Sequence, residues 1–384
     1  MSTNEKVVAF IKETFNQHNS FIPLHEPRFY GNERKYVLDA IDSTFVSSVG
    51  EYVNRFEKMM AETAGTKFAI ATVNGTSALH VALLLAGVEK DTEVLTQNFT
   101  FVATTNAISY LGATPHLIDI EEKSLGMSPE KLKFRLQEIV ELKGGIPFNK
   151  ETGKQISACV PMHTFGLVSF IDEIISICDA YNIPVVEDAA ECIGSTLNGK
   201  PAGSFGLLGT FSFNGNKTIT CGGGGAIVTN NENLAKRAKH ITTTSKIPHK
   251  YKYNHDEVAF NYRMPNLNAA MACAQLEMLD EFIANKRDLA SKYELFFKDL
   301  NIEFVTERPE TKSNYWLNAI LLSSTEERDA FLEFTNSNNV MTRPGWELMH
   351  TLKMFQNAPK GDLTTSTNIY NRLVNIPSSV RVNS

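Results

Sequence analysis

The sequence lacks long apolar runs and has few cysteines. No stretch of its 384 residues is apolar over the roughly 20 positions that a membrane-spanning helix needs. The N-terminus, MSTNEKVVAFIKETFNQHN, has neither the basic start nor the apolar core of a signal peptide. Its five cysteines are scattered and never form a CxxC pair, which argues against a zinc site or a disulfide framework. We therefore expect a cytoplasmic protein that binds no metal and contacts no membrane.

An excess of positive charge is also missing. The chain carries 37 Lys and Arg against 43 Asp and Glu, so its formal net charge is −6. Without a broad basic field to attract phosphates, we expect no nucleic-acid partner. Hydrophobic residues make up 42% of the chain and charged residues 21%, the balance of a globular protein large enough for a sizeable core.

Short β-rich runs alternate with helical patterns between residues 67 and 229. The predicted strands are 68–73, 94–95, 115–118, 156–162, 183–186, 209–213 and 226–229. The predicted helices between them are 76–86, 104–111, 129–142 and 171–182. Because such alternation produces a mostly parallel sheet with helices on both faces, it predicts an α/β domain. Ligands of such domains bind at the carboxyl ends of the strands.

The rest of the chain follows another pattern. A long helical segment is predicted at 266–299, and a smaller α+β unit and a loop-rich tail follow it. We predict an N-terminal helix at 1–20 and a large α/β domain at 21–250. Residues 251–384 are then the long linking helix and a small C-terminal α+β domain.

Two polar residues next to β-rich runs are candidates for a role in catalysis. Asp188 follows the apolar run of IPVVEDAAE, where its carboxylate could keep a pyridine nitrogen protonated, although an isolated acid there is more often only solvated. Lys217 lies in the loop of TFSFNGNKTITCGGGGAIVT, where a partly deprotonated amine could form a Schiff base, although a lone loop lysine is usually solvated. The four glycines at 222–225 allow close backbone approach, but no GK[ST] follows that would make a Walker loop.

Three further segments each allow a functional and a structural interpretation. In VNGTSALHVAL, Gly75 and Thr76 open an apolar helix and could offer N–H groups to a phosphate or form a simple helix cap. Phe101 follows a short strand and could stack on a cofactor or pack in the core. In FNYRMPNLNAA, Asn261 and Arg263 could cap the long helix or reach across an interface. No one of these segments is decisive alone.

Together, SFNGNK with its following glycines, EDAA, NGTSALHVAL and TFVAT resemble the DegT/StrS family of sugar aminotransferases. That family belongs to the aspartate-aminotransferase-like enzymes of fold type I, which use pyridoxal 5′-phosphate (PLP). The similarity extends from about residue 22 to residue 380. It implies a homodimer with active sites at the subunit interface. It also implies L-glutamate as amino donor and a nucleotide-linked keto-sugar as acceptor.

The resemblance assigns roles to single residues. Lys217 is similar to the Schiff-base lysine and proton shuttle, and Asp188 to the partner of the pyridine nitrogen. The other implied cofactor contacts are Gly75, Thr76 and Ser212 around the phosphate, Asn261 reaching that phosphate from the neighbouring subunit, Phe101 stacked on the ring, and Glu191 near the 3-hydroxyl. Relatives often have Gln or His in place of Glu191. Arg263 is the first candidate for the sugar nucleotide's diphosphate and Lys246 a second, although Lys246 could equally belong to a solvated loop.

A finer resemblance, carried by segments 23–57, 246–270 and 314–320, points to one branch of the family. That branch aminates carbon 4 of UDP-linked 2-acetamido-4-keto-2,6-dideoxy sugars, as in bacillosamine and legionaminic acid synthesis for surface polysaccharides such as lipopolysaccharide. TDP- or GDP-linked 4-keto-6-deoxy sugars and 3-keto sugars are the alternatives. Sugar dehydratases of the family have histidine in place of Lys217, and a PLP-binding regulator would be expected to have a DNA-binding appendage, so both are disfavoured.

Overall fold

Helices and strands alternate between residues 67 and 229, as the sequence predicts. The computed structural model describes residues 1–382. Its α-helices are α1 (Thr3–Thr14), α2 (Glu33–Asp42), α3 (Glu51–Ala64), α4 (Gly75–Leu85), α5 (Val102–Tyr110), α6 (Pro129–Ile139), α7 (Ile171–Asp179), α8 (Glu232–Thr242), α9 (Asn266–Glu277), α10 (Leu279–Asp299), α11 (Thr325–Ser337) and α12 (Thr364–Arg372). Its strands are β1 (Phe68–Thr72), β2 (Glu93–Gln97), β3 (Thr114–Ile118), β4 (Val140–Lys143), β5 (Ile146–Asn149), β6 (Ile156–Val160), β7 (Val186–Asp188), β8 (Thr196–Leu197), β9 (Lys200–Pro201), β10 (Leu208–Ser212), β11 (Gly225–Thr229), β12 (Lys246–Ile247), β13 (Asn254–His255), β14 (Glu303–Phe304), β15 (Thr311–Lys312), β16 (Asn318–Leu321), β17 (Arg343–Pro344) and β18 (Leu373–Ile376).

Seven strands form the central sheet in the order β3-β2-β6-β7-β10-β11-β1. The ladder β3-β2-β6 and the ladder β7-β10-β11-β1 are joined by parallel bridges between Cys159 and Val185 and between Met162 and Asp188. Only β11 runs antiparallel to its neighbours in this sheet. Strands β2, β6 and β11 are buried along their whole length, as expected for strands covered on both faces. The predicted α/β class with a mostly parallel central sheet is confirmed.

Two layers of helices cover the sheet. Successive side chains of a strand point to opposite faces, so Val94 and Ile227 pack with α4, α5 and α8. Leu95 and Val228 pack instead with α3, α6, α7 and α9. All five cysteines are free and buried in this second core. None of the described helices has the length and apolarity that crossing a membrane would require.

A smaller α+β unit follows the central sheet. Its antiparallel sheet has the order β14-β16-β18-β17 and packs against α10 and α11. Helix α1 contributes Val7 and Ile11 to the same core, so the N-terminal helix packs on the C-terminal unit. A bridge between Ile22 and Val340 joins the segment after α1 to the segment after α11 there. The residue limits that the sequence predicts for the domains stay a prediction.

Several elements differ from the sequence-based expectation, among them the strand predicted at 183–186, which is β7 at Val186–Asp188. The predicted helix 266–299 is two helices, because Met278 closes a tight turn with its N–H toward the carbonyls of Gln275 and Leu276. The predicted helix 129–142 ends at Ile139, and a hairpin of β4 and β5 follows. The tail, predicted to be rich in loops, contains β17, α12 and β18 up to Ile376. These strands depend on partners distant in the chain, which local patterns do not reveal.

Candidate functional site

One cavity of about 270 Å³ lies at the carboxyl edge of the central sheet. Strand β1 leads into α4 there, β7 ends at Asp188 and β10 ends at Ser212. Because parallel strands present their carboxyl ends at a common edge, residues distant in the chain converge on this cavity. Seven of the eight cofactor contacts predicted from the sequence line it: Gly75, Thr76, Phe101, Asp188, Glu191, Ser212 and Lys217.

The N-terminus of α4 forms one end of the cavity. Asn74 caps the helix, since its side-chain oxygen accepts the Ser77 N–H at 2.8 Å, so the alternative of Thr76 as the cap does not hold. The first N–H groups of a helix have no intrahelical acceptor and lie at the positive end of its dipole. A Cβ on Gly75 would lie 2.7 Å from Cβ of Ser212. The close approach therefore places free N–H groups beside a hydroxyl, a suitable site for an anion.

Asp188 is held in a fixed orientation at the end of β7. The Thr104 hydroxyl donates to Oδ2 at 2.8 Å, and the Ala190 N–H donates to Oδ1 at 3.2 Å. The side chain is buried but lines the cavity. Such a carboxylate can accept one further hydrogen bond from a positively charged ring nitrogen. Thr104 is a functional candidate that sequence reasoning missed.

Lys217 lies in the loop between β10 and β11 and points toward an acid. Its Nζ is 3.1 Å from Oε1 of Glu191 and 4.0 Å from the ring centre of Trp316. Burial raises the pKa of Glu191 to about 7, although the charge of Lys217 and the Phe165 N–H act in the opposite direction. Trp316 was also missed, even though it belongs to the segment 314–320 that carries part of the family resemblance.

Phe101 precedes α5 and remains 47% exposed. It lines the cavity, and its ring centre is 6.1 Å from that of Trp346. The interpretation of Phe101 as a core residue is therefore wrong. An exposed aromatic face at the cavity is available to a planar ligand.

Three predicted residues lie outside the cavity of their own chain. Asn261 is exposed and accepts a hydrogen bond from Nε of Arg263 at 3.0 Å. Lys246 lies on the hairpin of β12 and β13, with its Nζ 4.6 Å from the ring centre of Tyr253. Tyr253 is 83% exposed, so this hairpin stands clear of the chain's own core. The roles of Asn261, Arg263 and Lys246 in a neighbouring subunit's site stay predictions.

The residues around the cavity fit PLP. The first turn of α4 and Ser212 would hold the phosphate, where the contact between Gly75 and Ser212 leaves no room for a side chain. Asp188 would hold the ring nitrogen, and Lys217 would supply the amine that attaches the cofactor. The phosphate, the ring nitrogen and the attachment point of PLP are thus each matched by a group of suitable chemistry.

Comparisons with known proteins identify the family. A model of the DegT/DnrJ/EryC1/StrS aminotransferase family matches residues 28–384. The GDP-perosamine synthase of Vibrio cholerae is 39% identical over 360 residues, which are 93% of this chain and 94% of that protein. The GDP-perosamine synthase of Escherichia coli O157:H7 is 36% identical over 335 residues, 87% of each chain. The solved aminotransferase PseC of Helicobacter pylori has a TM-score of 0.85 at 21% identity, with 95% of both chains covered.

Proposed function

The chain belongs to the DegT/DnrJ/EryC1/StrS aminotransferase family, and we propose that it transfers an amino group from L-glutamate to carbon 4 of a GDP-linked 4-keto-6-deoxy sugar. Aminotransferases of this family are PLP-dependent. The observation that carries the reaction type is the convergence of Lys217, Asp188 and the α4 N-terminus on one cavity.

The sugar nucleotide is inferred from the relatives. Two relatives that align with 93% and 87% of this chain are named GDP-perosamine synthases. They favour the GDP-linked alternative over the UDP-linked 2-acetamido sugar predicted from the sequence. We therefore place the UDP- and TDP-linked sugars second, as comparison substrates.

Each residue has a defined task in this proposal. PLP, when bound, supplies an electron sink for the carbanion that forms during amino transfer. Asp188 keeps the ring nitrogen protonated, and the first turn of α4 with Ser212 holds the phosphate. In the first half-reaction, Lys217 Nζ takes the proton from the α-carbon of L-glutamate. In the second half-reaction, it delivers a proton to carbon 4 of the sugar.

The diphosphate of the substrate needs cationic partners. The hairpin of β12 and β13 and the segment after it carry Lys246 and Arg263 outside the chain's own cavity. We propose that these cations, with Asn261, complete the site of the second subunit of a homodimer. The exposure of Asn261 supports this arrangement, because a residue that contacts a partner subunit must be accessible on the surface of its own chain.

The proposal is tested by NMR analysis of the product. Purified protein with PLP and L-glutamate is offered GDP-4-keto-6-deoxymannose, UDP-2-acetamido-4-keto-2,6-dideoxyglucose and a TDP-4-keto-6-deoxyhexose in separate reactions. We expect a 4-amino sugar from the GDP-linked substrate, with 2-oxoglutarate formed in equal amount, and no product with Lys217→Ala. Amination of only the UDP- or TDP-linked sugar would overturn the assignment of the nucleotide. Absence of 2-oxoglutarate in all three reactions would overturn the assignment of L-glutamate as the amino donor.

A further inference from the structure

The amine of Lys217 is enclosed between a carboxylate and an aromatic face. Glu191 Oε1 lies 3.1 Å from Nζ, and the ring centre of Trp316 lies 4.0 Å from it. The side chain of Glu191 is only 1% exposed and that of Lys217 12%. An ammonium ion is stabilised by both neighbours, by charge on one side and by the ring quadrupole on the other.

Glu191 and Trp316 come from different parts of the fold but are tied to each other. Asn314 donates through Nδ2 to the carbonyl of Glu191 at 2.9 Å, and its Oδ1 accepts the Trp316 N–H at 2.8 Å. The indole Nε1 of Trp316 donates to the carbonyl of Asn216 at 2.7 Å, next to Lys217 itself. The carboxylate and the indole are therefore fixed relative to the lysine loop.

Two strained residues help to form this enclosure. Phe165 has φ of 57° and Tyr315 has φ of 45°, values that bulky residues rarely adopt. The Phe165 N–H donates to the second carboxylate oxygen of Glu191 at 2.9 Å. Tyr315 directly precedes Trp316. Such strain persists where the surrounding contacts enforce it, here on both sides of the Lys217 amine.

We propose that Glu191 and Trp316 form a holding site for the Lys217 amine in every state in which this lysine is not attached to the cofactor, and that Glu191 exchanges a proton with it there. The proton moves along the Nζ–H···Oε1 hydrogen bond, so that an ammonium and a carboxylate become a neutral amine and a neutral acid. Glu191 is thus a positioning residue that acts through Lys217. The inference rests on the proposed role of Lys217, but it is independent of the nucleotide sugar.

The acid–base properties of Glu191 are consistent with this exchange. Burial raises its pKa to about 7, while the charge of Lys217 lowers it. A carboxyl group with a pKa near neutrality can both accept and return a proton at the pH of the reaction. A glutamine at the same position would keep the shape and a hydrogen bond to Lys217 but could take no proton.

The test uses infrared spectroscopy on cofactor-free protein, which separates it from any assay of turnover. The carbonyl band of a protonated, buried carboxyl group is followed as the pH is raised from about 3 to about 9, a range that includes both the ordinary and the raised pKa of a glutamate. We expect a band that titrates near pH 7 in the wild type and is missing in Glu191→Gln. In Lys217→Met its midpoint should lie higher, because the positive charge is gone. A midpoint unchanged by Lys217→Met would overturn the proton exchange.

The holding role is tested by kinetics of the half-reaction with L-glutamate. We expect Glu191→Gln to lower its rate about 10-fold and to remove the inflection near pH 7, with little change in the KM of L-glutamate. Trp316→Phe should keep most of the rate because the aromatic face remains, whereas Trp316→Leu should lose about as much as Glu191→Gln. A wild-type pH profile in Glu191→Gln would contradict the proposal. Failure to aminate the GDP-linked sugar would leave these results intact and affect the proposed substrate alone.

Discussion

Gly75 allows α4 and β10 to approach each other more closely than any side chain would permit. A Cβ there would lie 2.7 Å from Cβ of Ser212 and 3.1 Å from its Oγ. The sequence shows a glycine in NGTS, and the structure shows why a larger residue would separate the two halves of the proposed phosphate site. The constraint is one of space, since the φ of Gly75 lies outside the left-handed region.

We expect Gly75→Ala to weaken PLP binding about 10- to 100-fold, because overpacking of this contact costs about 1–3 kcal/mol. Equilibrium dialysis of PLP against the cofactor-free protein measures the effect. Gly215→Ala is the matched control, because Gly215 lies in the Lys217 loop and a Cβ there would meet open space. An equal loss of PLP affinity in both variants would show that the contact between Gly75 and Ser212 does not matter for PLP binding.

Asp188 and Lys217 allow a second prediction at this scale. We expect Asp188→Asn to fold normally and to lower kcat by about 10²–10³-fold, since the amide holds no charge against the ring nitrogen. Lys217→Ala should lose about 10⁴-fold in turnover, because it removes both the proton carrier and the covalent attachment, yet it should still bind PLP non-covalently. Steady-state kinetics and circular dichroism check both variants. Near-normal turnover in either would remove that residue from its proposed role.

At the scale of elements, α10 carries a lysine into the core of the molecule. Lys286 is fully buried, and its Nζ donates to the carbonyl of Trp316 at 3.1 Å and to that of Ser378. It thereby connects α10 to the segment that covers Lys217. Burial lowers the pKa of Lys286 to about 7.

This lysine predicts a pH dependence of stability. Between pH 7 and the ordinary lysine value of 10.5, the unfolded chain binds more protons at this site than the folded one. The free energy of unfolding of the wild type should therefore rise with pH in this interval, relative to that of Lys286→Met. Thermal unfolding of both proteins at several pH values measures the difference. A difference in Tm that does not vary with pH would contradict the prediction.

At the scale of the whole molecule, the position of Asn261 bears on whether the active sites of the predicted homodimer are shared between subunits. Asn261 is exposed and lies outside the cavity formed by its own chain. The sequence resemblance implies that it reaches the cofactor phosphate of the neighbouring subunit. One active site would then combine Lys217 of one chain with Asn261 of the other.

Hybrid dimers test this arrangement. Lys217→Ala and Asn261→Asp should each be strongly impaired, the second because its carboxylate repels the phosphate. Random mixing of the two should restore about a quarter of wild-type activity, since half of the dimers then have one intact site. Mixing Lys217→Ala with Asp188→Asn is the control and should restore nothing, because both residues line the same chain's cavity. Absence of recovery in the first mixture would argue against shared sites.

The sequence by itself determined the fold class and most of the cavity. Alternating strands and helices arise from local periodicity, and motifs such as NGTS and EDAA place chemical groups at strand ends, where a parallel sheet collects them. Seven predicted contacts therefore line the same cavity. The strands of the tail were missed, because they pair with strands that are distant in the chain. The break at Met278 was missed for a different reason: it is a local turn inside a segment whose helical pattern continues on both sides.

Only the tertiary structure decided what surrounds Lys217. Trp316 follows Lys217 by nearly a hundred positions, yet its ring covers the amine. Thr104 lies on α5, far from Asp188 in the sequence, yet its hydroxyl donates a hydrogen bond to the Asp188 carboxylate. The buried state of Glu191, and with it a pKa near 7, also depends on its surroundings in the fold. Local patterns extend over a few residues, whereas desolvation and contacts between distant side chains exist only once the chain is packed.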